Sequence, residues 1–199
     1  LRSRDRYARR AVSTVSGEAV QAPGWAVVTA VMLTTLLEVL DLTIVNVSLP
    51  HMMGSFGATP DQITWVVTSY MISTIVVMPL TGYLSARFGR RQVLLVAIAG
   101  FVASSGLCGA AWSLPSMVFA RLLQGGFGAV LIPLSQTVLF DAFPREQRAR
   151  AMALWSIAIM VAPIVGPTIG GYITEHYAWR WVFYVNLPIG VLAFLLALA

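Results

Sequence analysis

The chain has 199 residues, of which 58% are hydrophobic and 11% charged, with a mean hydropathy of +0.79. Soluble domains carry about 25% charged residues, so this composition cannot cover a water-facing surface and points to a membrane-embedded chain. The formal net charge of +5 is not a nucleic-acid signature, because all 13 basic residues are Arg and they cluster between apolar runs.

Residues 1–24 are Arg-rich, then Ser/Gly/Ala-rich with little apolar content, and read as a disordered tail or a surface-lying segment. Six apolar runs follow, each near the roughly 20 residues that a membrane-crossing helix needs. They cover approximately residues 25–49, 63–85, 93–111, 115–140, 151–174 and 181–199. The first is too long for a cleavable signal peptide, carries Glu38 and Asp41, and lacks a small-residue cleavage site. Trp25, Trp65, Trp112, Trp179 and Trp181 fall near run ends, where amphipathic rings favour the interface, and only Trp155 stands inside a run. The chain begins with Leu1 rather than Met and stops inside an apolar run, which leads us to expect a piece of a longer protein.

The arginines set an expected orientation. Arg2, Arg4, Arg6, Arg9 and Arg10 lie in the tail, Arg87, Arg90 and Arg91 between runs 2 and 3, and Arg145, Arg148 and Arg150 between runs 4 and 5. The alternate gaps hold only Arg180. The positive-inside rule therefore places the tail in the cytoplasm, and six crossings return the chain there.

Three ionisable residues sit inside runs: Glu38 and Asp41 in the first, Arg121 in the fourth. A charge at the centre of a membrane helix costs about 2.5–3.5 kcal/mol on insertion scales, so each needs a reason. Glu38 and Asp41 are three apart and share a face with Thr34 and Val45, with Asn46 close to it. Helical rise places Asp41 and Arg121 at similar depths below the outer surface, taking the first helix to end near Pro50, and places Glu38 deeper. Asp41 and Arg121 are therefore expected to pair if their helices touch. Burial favours a neutral carboxyl and a nearby guanidinium favours a charged one, so a carboxylate under both influences can load and release a proton. A static ion pair that only fixes helix packing is the alternative.

The loop after run 2 reads Gly82-Tyr83-Leu84-Ser85-Ala86-Arg87-Phe88-Gly89-Arg90-Arg91: a Gly near a helix end, expected to give close helix contact, then a tight basic turn. By itself it fits a positive-inside anchor equally well. Run 4 carries Arg121 one turn before Gly125, Gly126 and Gly128. Run 5 carries Gly166 and Gly170 as a small-residue face, followed by Gly171, and Pro163 and Pro167, which remove backbone donors and are expected to kink the helix. A purely structural kink is the alternative.

Together these residues resemble the amino-terminal half of a major facilitator superfamily transporter. Gly82–Arg91 resembles that family's loop 2–3 signature, Arg121–Ala129 its helix 4 signature, and Gly166–Gly171 its helix 5 antiporter signature. Leu40-Asp41-Leu42-Thr43-Ile44-Val45-Asn46-Val47-Ser48-Leu49-Pro50 and Trp179-Arg180-Trp181-Val182-Phe183-Tyr184-Val185-Asn186-Leu187-Pro188-Ile189-Gly190 resemble the fourteen-helix drug:proton antiporter branch, EmrB/QacA-like. The resemblance spans about residues 25–199 and implies an all-α membrane fold, a six-helix amino-terminal bundle. It implies proton-driven export of drugs or other amphipathic small molecules across the cell membrane, with Asp41 and Arg121 in proton coupling. It further implies a carboxy-terminal half as partner, no cofactor beyond the proton gradient, and a periplasmic adaptor as a possible further partner. One departure stands out: Ala86 occupies the place of the signature's Asp, which leaves Asp141 as the expected partner of Arg90.

Other classes have less support. His51 and His176 are the only histidines, lie in different outer loops, and belong to no hydrolase or zinc motif. No phosphate-cradling loop argues for direct ATP use. Cys108, the one cysteine, is expected to be a buried, inert thiol. A transporter for one dedicated metabolite, or a non-transporting bundle, are the alternatives to drug export. The substrate site is expected at the junction with a second half.

Overall fold

The structure, a computed structural model, describes residues 25–198, so the Arg-rich tail of residues 1–24 lies outside the described residues. Six helices long and apolar enough to cross a membrane follow one another: Trp25–Phe56, Pro60–Phe88, Arg90–Gly109, Leu114–Ala142, Arg148–His176 and Trp181–Leu198, here spans 1 to 6. No strand occurs among the described residues.

Span 1 is one helix to Phe56 and does not stop at Pro50, where the apolar run ends. A proline inside a helix removes only its own N–H and leaves the carbonyl four residues earlier, that of Asn46, without a main-chain donor. Both Asn46 and Pro50 are exposed, so the lost bond lies on an open face. Termination comes at Gly57, whose φ of +61° suits glycine, with the Ala58 N–H bonded back to the Met53 carbonyl at 3.1 Å.

Other spans are interrupted. Span 2 begins in a Thr59/Gln62 capping box and passes through a 3-10 turn at Met78–Leu80. Span 4 opens on a Ser113 cap and breaks into Leu114–Gly128 and Leu131–Ala142, at Ala129–Val130. Span 5 runs unbroken as Arg148–His176 through Pro163 and Pro167, so the prolines do not divide it. Both are exposed, as Pro50 is.

Span 1 is the hub. It packs against spans 5 and 6 and against the second part of span 4, Leu131–Ala142, while the first part, Leu114–Gly128, packs on spans 2 and 3. Gly166 and Gly170 set the span 1–span 5 contact: a Cβ at Gly166 would run into the Thr43 hydroxyl, and one at Gly170 would press on Ile44 at 3.2 Å. Gly171, which follows that face, lies off it, and a Cβ there meets nothing within 4 Å. Gly82 likewise touches no neighbouring helix, so the expected close contact at that glycine is absent. The i, i+4 spacing accounts for the open space at Gly171, which is turned off the face that Gly166 and Gly170 share. Trp179 lies between spans 5 and 6, against the end of span 1. It is buried, donates from Nε1 to the Ser55 hydroxyl at 2.9 Å, and meets the Phe56 ring edge-on at 5.3 Å.

Candidate functional site

The close approach of spans 2 and 4 shapes the site first. A Cβ at Gly125 would overlap the Tyr70 carbonyl, and one at Gly128 would lie 2.6 Å from the Tyr70 hydroxyl. Thr74 ties the same place by donating to the Tyr70 and Gly125 carbonyls at 2.9 and 3.2 Å. This packing slides the Tyr70 ring under Arg121, whose guanidinium carbon lies 4.2 Å from the ring centroid. The glycines following Arg121 therefore make room for its aromatic floor.

Arg121 then reaches Asp41. Its Nη1 lies 2.6 Å from Asp41 Oδ2, with the two side chains 1% and 0% exposed. The first part of span 4 does not lie directly on span 1, and the length of the Arg side chain bridges the separation. Arg121 also donates from Nη1 to Gln124 Oε1 at 2.7 Å and from Nε to the Val66 carbonyl at 3.1 Å. On the other side, Asp41 Oδ1 accepts from Gln124 Nε2 at 3.0 Å and from Asn186 Nδ2 at 2.8 Å. Asn186 continues to the Ser105 hydroxyl at 3.1 Å, and Ser105 donates to the Phe183 carbonyl at 2.9 Å. Five spans thus converge on one buried carboxylate and one guanidinium: Asp41 from span 1, Val66 and Tyr70 from span 2, Ser105 from span 3, Arg121 and Gln124 from span 4, Asn186 from span 6. A charge-assisted network of this kind is strong because the interior weakens screening, and costly to break for the same reason.

Glu38 is treated differently. It lies one turn before Asp41 in span 1 and is 3% exposed, yet its Oε2 has no hydrogen-bond partner. The Ile132 main chain, just past the break in span 4, lies beside it. Tyr70 Oη, Ser69 Oγ and Ser135 Oγ are also buried without partners. Thr34 and Val45 are buried on the Glu38–Asp41 face, whereas Asn46 is exposed and donates back to the Leu42 carbonyl at 2.7 Å.

The remaining sequence candidates lie apart from this cluster. At the end of span 2, Gly89 has a φ of +84°, which lets the chain turn directly into span 3. Arg90 pairs there with Asp141 at the end of span 4, both half exposed. Arg91 donates to the Leu198 carbonyl, and Arg87 lies over the Phe88 ring with its guanidinium carbon 5.8 Å from the centroid. Pro163 and Pro167 are exposed and flank the buried face of Gly166 and Gly170. Cys108 is buried with its thiol 3.3 Å from Gln124 Oε1. Among the described residues no three His, Cys, Asp or Glu side chains are grouped to hold a metal. An apolar cleft of about 600 Å³ opens between spans 2, 3 and 4, lined by Ser73, Phe88, Val96, Leu123 and Phe127, and touches no member of the charged cluster.

Asp41, Arg121 and Glu38 stand out as site residues along the sequence, whereas Gln124, Asn186, Ser105 and Tyr70 emerge only in the fold. Gln124 and Asn186 lay inside motifs already quoted, and an amide in an apolar span is itself a signal that it has a partner. Nothing in the sequence marked Tyr70, because an aromatic residue in a span is unremarkable until its neighbour is known.

Comparison with known proteins matches residues 31–199 to the Major Facilitator Superfamily. The chain is 45% identical over 161 residues to the fatty acid resistance protein FarB of Neisseria gonorrhoeae, covering 81% of this chain and 32% of that protein. It is 43% identical over 169 residues to the multidrug export protein EmrB of Escherichia coli K12, covering 85% of this chain and 33% of that protein. The chain therefore spans about a third of the length of the curated relatives it matches. Among solved structures, the inward-open xylose transporter XylE of E. coli superposes with a TM-score of 0.77 at 20% identity, over 88% of this chain and 47% of that one. That level of identity speaks to the fold alone.

Proposed function

The chain belongs to the Major Facilitator Superfamily, and from that premise we propose that it forms the amino-terminal six spans of a proton-driven exporter of drugs or other amphipathic small molecules. It is a multi-pass membrane protein, and its relatives are transporters rather than enzymes. The single observation that carries the proton-coupled reading is the buried charged cluster. A carboxylate and a guanidinium held out of water at the core of a membrane bundle are expensive, and a gain or loss of one proton there changes which contacts hold. Asp41, Arg121 and Glu38 form the coupling machinery in this reading. The names of two relatives, a multidrug export protein and a fatty acid resistance protein, support an amphipathic cargo.

The second wall of the cavity comes from a further set of spans, since transporters of this fold rock one half against the other around a midplane site. Span 5 holds the glycine face against span 1 and so sets the geometry that such rocking works against. The tail, the loop between spans 2 and 3 and the loop between spans 4 and 5 face the cytoplasm, and Arg90 with Asp141 staples spans 3 and 4 there. The energy source is the proton gradient, with no cofactor, and a periplasmic adaptor extends the route outward in a cell with two membranes.

Everted vesicles carrying the complete transporter test this reading. Ethidium accumulation driven by an imposed pH gradient, and collapsed by an uncoupler, is the expected result. Accumulation that follows ATP and ignores the gradient, or no accumulation at all, overturns it.

A further inference from the structure

We propose that Glu38, rather than Asp41, is the carboxyl that takes up and gives off the driving proton, with Asp41 serving as a fixed clamp; this rests on the proton-driven reading above. The two carboxyls are one helical turn apart and equally buried, but their surroundings differ in kind. Asp41 has both oxygens engaged, accepting from Arg121, Gln124 and Asn186. Adding a proton to Asp41 removes the negative charge that these donors meet and leaves the Arg121 charge buried without its counter-charge. Glu38 Oε2 has nothing to lose, because no donor meets it. An ionised carboxylate there is a desolvated charge with one oxygen unmet, whereas the protonated form brings its own O–H donor beside the unpartnered Tyr70 hydroxyl.

The charged surroundings of Glu38 point the same way. Its own span supplies Asp41, a like charge that discourages a second anion. Span 2 supplies Tyr70, which lies close to both carboxyls and to Arg121 and whose hydroxyl has no partner. Span 4 supplies Arg121, already committed to Asp41. Span 3 supplies only Cys108, facing Gln124. Spans 5 and 6 bring no ionisable side chain to this depth, where Ile159, Ala162 and Gly190 lie.

The interruption of span 4 at Ala129–Val130 stands beside Glu38 through the Ile132 main chain. A shift of the inner segment of span 4 at that interruption opens Glu38 to water without touching the donors that hold Asp41. The proton is taken from the outer side onto a Glu38 oxygen, and released to the cytoplasmic side as that segment moves. No other bond changes.

Infrared difference spectroscopy on the complete transporter, with ethidium as the probe, separates the two carboxyls. The carbonyl stretch of a protonated carboxyl, titrating with pH, is expected in the unmodified protein and in Asp41→Asn, and absent in Glu38→Gln. Glu38→Gln is also expected to lose gradient-driven ethidium transport while keeping ethidium counterflow, which a merely misfolded protein would not keep. Glu38→Asp is expected to restore the titrating band. A band that persists in Glu38→Gln and vanishes in Asp41→Asn, or full gradient-driven transport by Glu38→Gln, overturns the proposal. An unmodified protein that ignores the pH gradient overturns the export reading instead, and the infrared band still decides which carboxyl binds the proton.

Discussion

Arg121 is the largest fully buried side chain of the bundle, and its charge is tolerable only because Asp41, Gln124, the Val66 carbonyl and the Tyr70 ring surround it. Removing one partner of such a pair costs about 3–5 kcal/mol, whereas removing both charges leaves nothing orphaned. Arg121→Gln and Asp41→Asn are therefore each expected to lower the thermal midpoint in detergent, and the double variant to recover much of the loss. Additive losses in that cycle would show that the two side chains do not act as a pair. The exposed Arg90–Asp141 pair is a contrast in scale. Water screens it, so Arg90→Ala is expected to change stability by no more than about 1 kcal/mol, measured in the same assay.

Helix contacts in this bundle depend on where a side chain is missing. Gly125 admits the Tyr70 backbone, and Gly166 and Gly170 admit span 1 at Thr43 and Ile44, one turn from Asp41. Overfilling such a contact costs typically about 1–3 kcal/mol and moves the helix that it meets. Gly170→Leu and Gly125→Leu are expected to insert into the membrane and lose gradient-driven transport. Gly171→Leu, with open space around it, is expected to keep the thermal midpoint of the unmodified protein. If Gly170→Leu transported normally, the span 1–span 5 contact would have no part in coupling. The prolines of span 5 act at this scale too: exposed beside the glycine face, they leave the Ile159 and Pro163 carbonyls without main-chain donors.

As a whole, the six spans bury one charged cluster and leave long apolar faces outward, as in Ile75, Val76, Met160 and Ile164. Such faces suit lipid or a second set of spans, not water. Residues 1–199 alone are expected to insert but not to move ethidium on a pH gradient, since one half offers only one wall of a cavity. Gradient-driven transport by a monomer of these residues would contradict that. Orientation is checked separately by single cysteines in a Cys108→Ser background. A cysteine at Glu146 is expected to react only from the cytoplasmic side and one at Asp61 only from outside.

The amino-acid sequence by itself determined the membrane class, the number of spans and the presence of costly charges in spans 1 and 4. These are matters of composition, run length and spacing along one helix, which need no knowledge of neighbours. It also indicated that Asp41 and Arg121 share a depth, because helical rise is constant. Only the tertiary structure decided which side chains meet. Gln124 and Asn186 become ligands of Asp41 because spans 4 and 6 bring their amides to one point. Tyr70 becomes the floor of Arg121 because glycines let span 2 close in. Span 1 continues past Pro50 because the missing N–H falls on an open face. The difference between Asp41, fully bonded, and Glu38, buried with one oxygen unmet, is likewise invisible along the chain, since it depends on donors from other spans rather than on the two residues themselves.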